Sequence, residues 1–219
     1  YGLNKQAKQP LFKTEDVIEV VSNFGLEKDK KSNWFYSARF SFNSQFANGF
    51  SNPEAENPIS RFMAPGYVFF GAGTSFIKPD NSLNIYISPT TLKATLVLDE
   101  ELANKGAFGV SSGRNSFVEF GFLFTQTWNT SVFKNVEMNH RINLYTDYIR
   151  SFGNIDMDWE LNFKLKVNEF INANIGTHII YDDDIKFDQV VNEGGDVIDP
   201  GIPRIQFKQV LGIGIGYNF

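Results

Sequence analysis

Two histidines, a strand of alternating charges and one acidic loop are the residues of this chain whose types and spacing could do chemistry. A tight turn at 168–170 fixes an antiparallel pairing that sets Glu160 opposite His178 on one face. A carboxylate beside an imidazole is the raw material of general acid–base catalysis or of a buried proton site. The same face carries Arg141, Glu137, Lys164 and Lys166, so the plainer reading is an ion-pair network that fills a narrow interior. Arg141, Glu160, Lys164, Lys166 and His178 are therefore the candidate polar binding cluster. A register slip of one residue would put Glu160 and His178 on opposite faces.

The other histidine, His140, sits between Met138 and Ile142 on the apolar phase. A membrane-embedded lipase places its Ser and His on such a face, but Ser131 lies several residues away near a turn and Ser116 is out of reach. No Ser–His–acid arrangement reads at workable spacing, and no catalytic residue is assigned. Asp182, Asp183 and Asp184 open the longest loop, which also carries Asp188, Glu193, Asp196 and Asp199 around a flexible Gly194-Gly195. Such hard oxygens suit Ca²⁺, although the spacing matches no known calcium loop and a solvated acidic loop is the plainer reading.

The elements that hold these residues are strands. Ile155, Met157, Trp159, Leu161, Phe163, Leu165 and Val167 alternate without a miss against Asp156, Asp158, Glu160, Asn162, Lys164 and Lys166. No helix face accommodates that period of two. Segments around Trp34–Phe46, Val118–Phe124, Val136–Leu144 and Ile171–Ile179 repeat the scheme, with Leu123 breaking one polar side. Thr14–Glu27, Pro65–Lys78 and Leu83–Leu98 are predicted strands of less regular phase. In the last strand, Arg204–Phe219, Leu211, Ile213, Ile215, Tyr217 and Phe219 share one face, and Gly212, Gly214, Gly216 and Asn218 share the other. Those glycines, with Gly176 and Gly121, strip side chains from the polar face, either to let the sheet coil or to admit a plug or lipid tail. The count is nine full strands and a stub at Tyr1–Gln6.

The connections alternate short and long. Lys28–Ser32, Pro79–Ser82, Asn129–Ser131 and Asn168–Phe170 are short, whereas Ala47–Ala64, Asp99–Arg114 and Asp183–Pro203 are long, and Arg150–Asn154 is intermediate. Outer-membrane barrels keep short turns in the periplasm and long loops outside. Trp34 and Trp128 lie on the apolar phase beside short turns, where an aromatic girdle belongs.

Composition is consistent with this. The 219 residues fit one domain, 1–219, and contain no run of 18 apolar residues, which excludes a helical span. The 42% hydrophobic and 16% aromatic content, with 23 Phe, suits a lipid-facing surface whose mean hydropathy is diluted by the polar alternate residues. There is no cysteine to form a disulfide or thiolate site, and the net charge of −5 argues against nucleic acid. The opening Tyr1-Gly2-Leu3-Asn4 reads as the middle of a strand, so a signal sequence and further N-terminal barrel are expected to precede it.

The fold class expected is therefore all-β: a transmembrane antiparallel up-and-down β-barrel in the bacterial outer membrane, its C-terminus periplasmic. Asn33-Trp34-Phe35-Tyr36-Ser37, Ser88-Pro89-Thr90-Thr91-Leu92-Lys93, Leu102 to Val110, Tyr181 to Lys186 and the tail from Arg204 together resemble a family of Bacteroidota outer-membrane β-barrels of unknown function. The resemblance implies two further strands ahead of this chain, about twelve in all, and supplies no catalytic residues.

The functional expectation is a barrel without catalytic machinery, acting as a narrow or plugged channel or as a structural subunit of a larger outer-membrane complex. Mixed signs inside (Arg39, Arg141, Lys164 and Lys166 against Glu119, Glu137, Asp158 and Glu160) argue against a wide ion-selective pore, which favours rings of one sign. Expected partners are outer-membrane lipids, lipopolysaccharide (with Ca²⁺ at Asp182–Asp184 as the alternative that would bridge to its phosphates) and the barrel-assembly machinery, which would read the strand ending in Phe219. The alternatives are an outer-membrane hydrolase of lipid or peptide, and a soluble lipid-binding barrel with the two faces exchanged.

Overall fold

The structure is a computed structural model that describes residues 2–4, 12–29, 32–187, 190–191, 197–199 and 201–216. Tyr217, Asn218 and Phe219, on which the terminal signature rests, lie outside the described residues, as do Asp188, Glu193–Asp196 and the ends of the Tyr1–Gln6 stub.

Nine antiparallel strands form one sheet in strict chain order. They are β1 (Ile18–Glu27), β2 (Trp34–Ser44), β3 (Gly66–Ile77), β4 (Leu83–Leu96), β5 (Ser116–Phe133), β6 (Val136–Asp147), β7 (Asp156–Lys166), β8 (Ile171–Tyr181) and β9 (Gln206–Ile215). All nine expected strands are present. Two boundaries differ. The strand expected over Thr14–Glu27 breaks at Asp16-Val17, and Phe12–Glu15 instead pairs with Gly2–Asn4 as a separate two-stranded ribbon. The turn expected at Asn129–Ser131 falls at Lys134-Asn135, because β5 keeps its ladder with β6 as far as Phe133. Among the described residues no ladder joins β1 to β9, so the sheet is a meander with two outer strands.

The alternation written in the sequence becomes two unlike faces. On β5, Glu119, Gly121, Leu123 and Thr125 are buried on the concave side, while Val118 points out and is half exposed. The convex side exposes Phe24, Tyr36, Phe40, Phe70, Leu92, Val118, Phe207, Leu211 and Ile213. Leaving a Phe or Leu side chain in water forgoes roughly 1.5–3 kcal/mol each. Trp34 and Phe76, opposite each other on β2 and β3, pack with ring centroids 5.3 Å apart beside the short-turn end. The alternation of connections also holds: those from β1 to β2, β3 to β4, β5 to β6 and β7 to β8 leave one end of the sheet, and those from β2 to β3, β4 to β5, β6 to β7 and β8 to β9 leave the other.

The irregular phase of β3 and β4 has a local cause. Ladder shifts between Ala72 and Thr74 and between Ser88 and Thr91 mark a bulge, and Ser88 Oγ stabilises it by donating to Ala72 O at 2.9 Å. At the long-loop end, 45–65 and 97–115 pack on each other through Ala64, Val97, Leu102, Ala103 and Val110. Asp99 caps the helix Glu100–Asn104 by accepting from the Leu102 N–H, and Arg61 reaches Asp99 at 2.8 Å.

Candidate functional site

The concave face collects the charges, and the sheet curves enough for strands far apart in order to touch across it. Arg39 on β2 donates from Nη1 to Thr125 Oγ1 on β5 at 2.7 Å. Arg141 on β6 reaches Glu19 on β1, with both carboxylate oxygens 3.4 Å from its Nη1. Its Nη2 donates to Glu160 Oε1 at 2.5 Å.

The register places Glu160 opposite His178, as the turn at 167–170 requires. The closest carboxylate to the imidazole is nevertheless Asp158, 2.8 Å from Nε2, with Glu160 at 3.9 Å. Arg141 explains the exchange: it faces Glu160 directly across the β6–β7 ladder and draws that carboxylate to itself. Arg141, Glu160 and His178 are thus brought together. Lys164 and Lys166 are not, since they lie towards the short-turn end, exposed, and among the described residues neither forms an ion pair.

Among the most buried charges of the described residues is one that the alternation did not single out. Lys93 on β4 is 3% exposed. Its Nζ lies 2.7 Å from Asp156, 3.2 Å from Glu119 and 3.7 Å from Asp184, and 5.0 Å from the Tyr145 ring centroid. Glu119 is its ladder partner, Asp156 opens β7, and Asp184 comes from the loop after β8. The contact with Glu119 is coulombic, because Glu119 Oε2 finds no aligned hydrogen-bond donor among the described residues. The bulge hid Lys93 from sequence reasoning: by shifting phase between Ser88 and Thr91 it breaks the alternation that would have marked Lys93 as inward. Tyr67 and Tyr145 were missed because an inward tyrosine reads like any aromatic residue.

Asp182, Asp183 and Asp184 take separate partners. Asp182 accepts from the Asp184 N–H at 2.8 Å, and Asp183 accepts from Asn154 Nδ2 at 2.8 Å and lies 3.5 Å from Lys186. Asp184 turns to Lys93. Burial pushes the Asp182 carboxyl up to about 6, with Asp156 adding to the rise and Lys93 opposing it, and raises Asp184 for the same first reason. Among the described residues two groups could offer oxygen or nitrogen ligands to a cation: Glu119, Asp156 and Asp184, and Asp158, Glu160 and His178, each with ligand atoms within 4.8 Å of one another. The first group already surrounds the Lys93 ammonium.

His140, on the convex face, packs edge-on against Trp159 with centroids 6.2 Å apart, and among the described residues its Nδ1 has no hydrogen-bond partner.

Two cavities lie within the concavity. One of about 470 Å³, towards the long loops, is bordered by Lys93, Tyr145, Asp156, Asp182, His178 and Arg39. The other, about 560 Å³ and towards the short turns, is bordered by Asn23, Ser37, Asn84, Tyr86, Thr127 and Arg39. Both are partly polar.

A family model described as "Protein of unknown function (DUF3078)" matches residues 1–50, which reach from the start of the chain through β2. No curated protein matches the chain, and no solved structure does.

Proposed function

We propose that the chain is an integral β-barrel of the bacterial outer membrane, of the Bacteroidota kind noted above and about twelve strands when complete, and that its interior is a narrow, charge-filled passage. The observation that carries this reading is the arrangement of the two faces. Phe, Leu, Ile and Val are exposed on the convex side, while Lys93, Glu119, Arg141, Glu160 and His178 lie in the concavity. A soluble lipid-binding barrel needs the reverse. Hydrocarbon outside turns each exposed apolar side chain from a liability into a contact. Strands of 10–12 residues, such as β1, β2, β3 and β6, span roughly 25–30 Å when tilted, the height of an outer-membrane apolar band.

The interior supports a narrow passage over a wide pore. Opposite charges that meet across a lumen cross-link it, as Arg141 does between β1 and β7. The long loops would face outwards, next to lipopolysaccharide, and the short turns the periplasm. A structural subunit role in a larger assembly is compatible with the same geometry, and bilayer recording separates the two.

The test is to reconstitute the full-length protein and read two signals on one sample. A heat-modifiable band on gels together with stable, salt-dependent single-channel steps is the expected result. A heat-modifiable but silent protein overturns the passage and leaves the structural role. A protein that stays soluble without detergent and shows no heat-modifiable band overturns the membrane barrel.

A further inference from the structure

Arg39 and Thr125 are the residues common to both interior cavities, and the contact between them makes a partition. The Arg39 guanidinium crosses from β2 to Thr125 on β5, lies 5.7 Å from the centroid of the Tyr86 ring on β4, and keeps a buried Nε without a hydrogen-bond partner among the described residues. Tyr86 is itself buried, its hydroxyl likewise unpaired. Among the described residues no carboxylate oxygen lies within 4.0 Å of Arg39, whereas Arg141 is held by Glu160 and Glu19 and Lys93 by three carboxylates. Arg39 is thus an inward cation at mid-strand with no ion pair of its own among the described residues, Glu19 nearby being held by Arg141.

We infer that Arg39 is the waist of the interior: it separates an outer from an inner chamber and sets a preference for small anions over cations among solutes that pass. The physical argument has two parts. A guanidinium bonded across the lumen to Thr125 leaves a gap there narrower than either chamber, so the resistance concentrates at this level. A positive charge with no carboxylate in contact, set in a low-dielectric constriction, attracts anions and repels cations far more strongly than the same charge in bulk water. The outer chamber is bordered by Glu19, Asp156, Asp158, Glu160 and Asp182 against Lys93 and Arg141, with His178 beside Asp158, so its walls do not supply an anion preference; that preference is set at the narrowest level, where Arg39 is the charged side chain. The contacts that make the waist join β2, β4 and β5, so they do not depend on how the free edges of β1 and β9 are met.

This inference rests on the barrel reading, and its test keeps the two apart. Full-length wild type, Arg39→Gln, Arg39→Ala and Arg39→Glu are reconstituted in planar bilayers under a KCl gradient, each checked for heat-modifiability. The expected wild-type reversal potential is that of a weakly anion-selective path. Arg39→Glu should reverse its sign, and Arg39→Ala should raise conductance roughly twofold or more. Should the wild type be silent, opening on Arg39→Ala or Arg39→Gln supports the waist as the block. Arg39→Gln keeps a polar side chain of moderate length where alanine or glutamate compromises folding. Heat-modifiable variants that keep the wild-type conductance and reversal potential overturn the waist and leave the barrel standing. Absence of a heat-modifiable form in every sample, wild type included, overturns both.

Discussion

Lys93 carries its ammonium into the interior among Glu119, Asp156 and Asp184, and the consequence is asymmetric. Replacing Lys93 with Met keeps the volume and removes the only cation in that group, which leaves three carboxylates facing one another. Breaking a buried pair in this way costs about 3–5 kcal/mol. Urea unfolding of the detergent-folded protein, followed by gel mobility, should register that loss for Lys93→Met, with part of it recovered in Lys93→Met/Glu119→Gln. A change below about 1 kcal/mol would mean that water already screens the cluster. Asp182 gives a pH prediction at the same scale. Its folded carboxyl sits above the ordinary carboxylate value, so its protonated form favours the docked loop. That contribution is fully present below the unfolded value and is lost as pH rises through about 6. Proteolysis or hydrogen exchange across 182–187 should therefore quicken between pH 5 and pH 7.5, and Asp182→Asn should flatten the profile. Of these residues Asp182 and Asp184 were legible in the sequence as a cluster, but their separate partners were not. Three adjacent carboxylates look like one site until the turn Asp182–Asp184 aims them apart.

At the scale of the strand, the apolar face and the glycines make separable predictions. Phe70 lies mid-strand on β3, opposite Phe40 and Leu92, and is 55% exposed. Arginine there should lower bilayer folding stability by about 2–4 kcal/mol, while Phe46→Arg at the loop end should cost about 0–1 kcal/mol. Equal effects at both positions would contradict a membrane band centred on Phe70. Gly121 and Gly212 both belong to the inward glycine stripe, but only one is sterically required. A Cβ on Gly121 would collide with the Thr146 carbonyl and press on the Tyr145 hydroxyl, whereas among the described residues nothing lies within 4 Å of one on Gly212. Gly121→Ala should lower the unfolding midpoint clearly, and Gly212→Ala should leave it unchanged, in the same urea assay. The stripe was visible in the sequence as a period-two pattern. Which of its members are forced was not, because that depends on the approach of the neighbouring strand.

For the molecule as a whole, the nine-strand meander and the alternation of short and long connections followed from hydrophobic period and turn composition alone. The long loops are more than coverings. Ala64, Val97, Leu102, Ala103 and Val110 give 45–65 and 97–115 a shared apolar core, and Gly109 approaches Asp184 so closely that an added Cβ would lie 3.2 Å from its Cβ. The loops therefore converge near Lys93 and the carboxylates of Glu119, Asp156 and Asp184. Leu102→Ala should detach the 97–115 segment from 45–65 and quicken its proteolysis, with the strands themselves unchanged in hydrogen exchange. Protection in 97–115 equal to wild type would show that this core does not hold the loops.

The sequence by itself determined the strands, their two faces and their order, because each depends on local period and on turns that join neighbours. It also determined that Glu160 would stand opposite His178, since a tight turn leaves one register. Only the tertiary structure decided which charges meet. Arg141 takes Glu160 and turns His178 to Asp158, Lys93 gathers Glu119, Asp156 and Asp184, and Arg39 stands without a carboxylate beside Thr125. Those choices are made across the curve of the sheet, between residues as far apart in the chain as Glu19 and Arg141. Curvature arises from twist and from the bulge at Ser88–Thr91, and alternation along a single strand carries no measure of either.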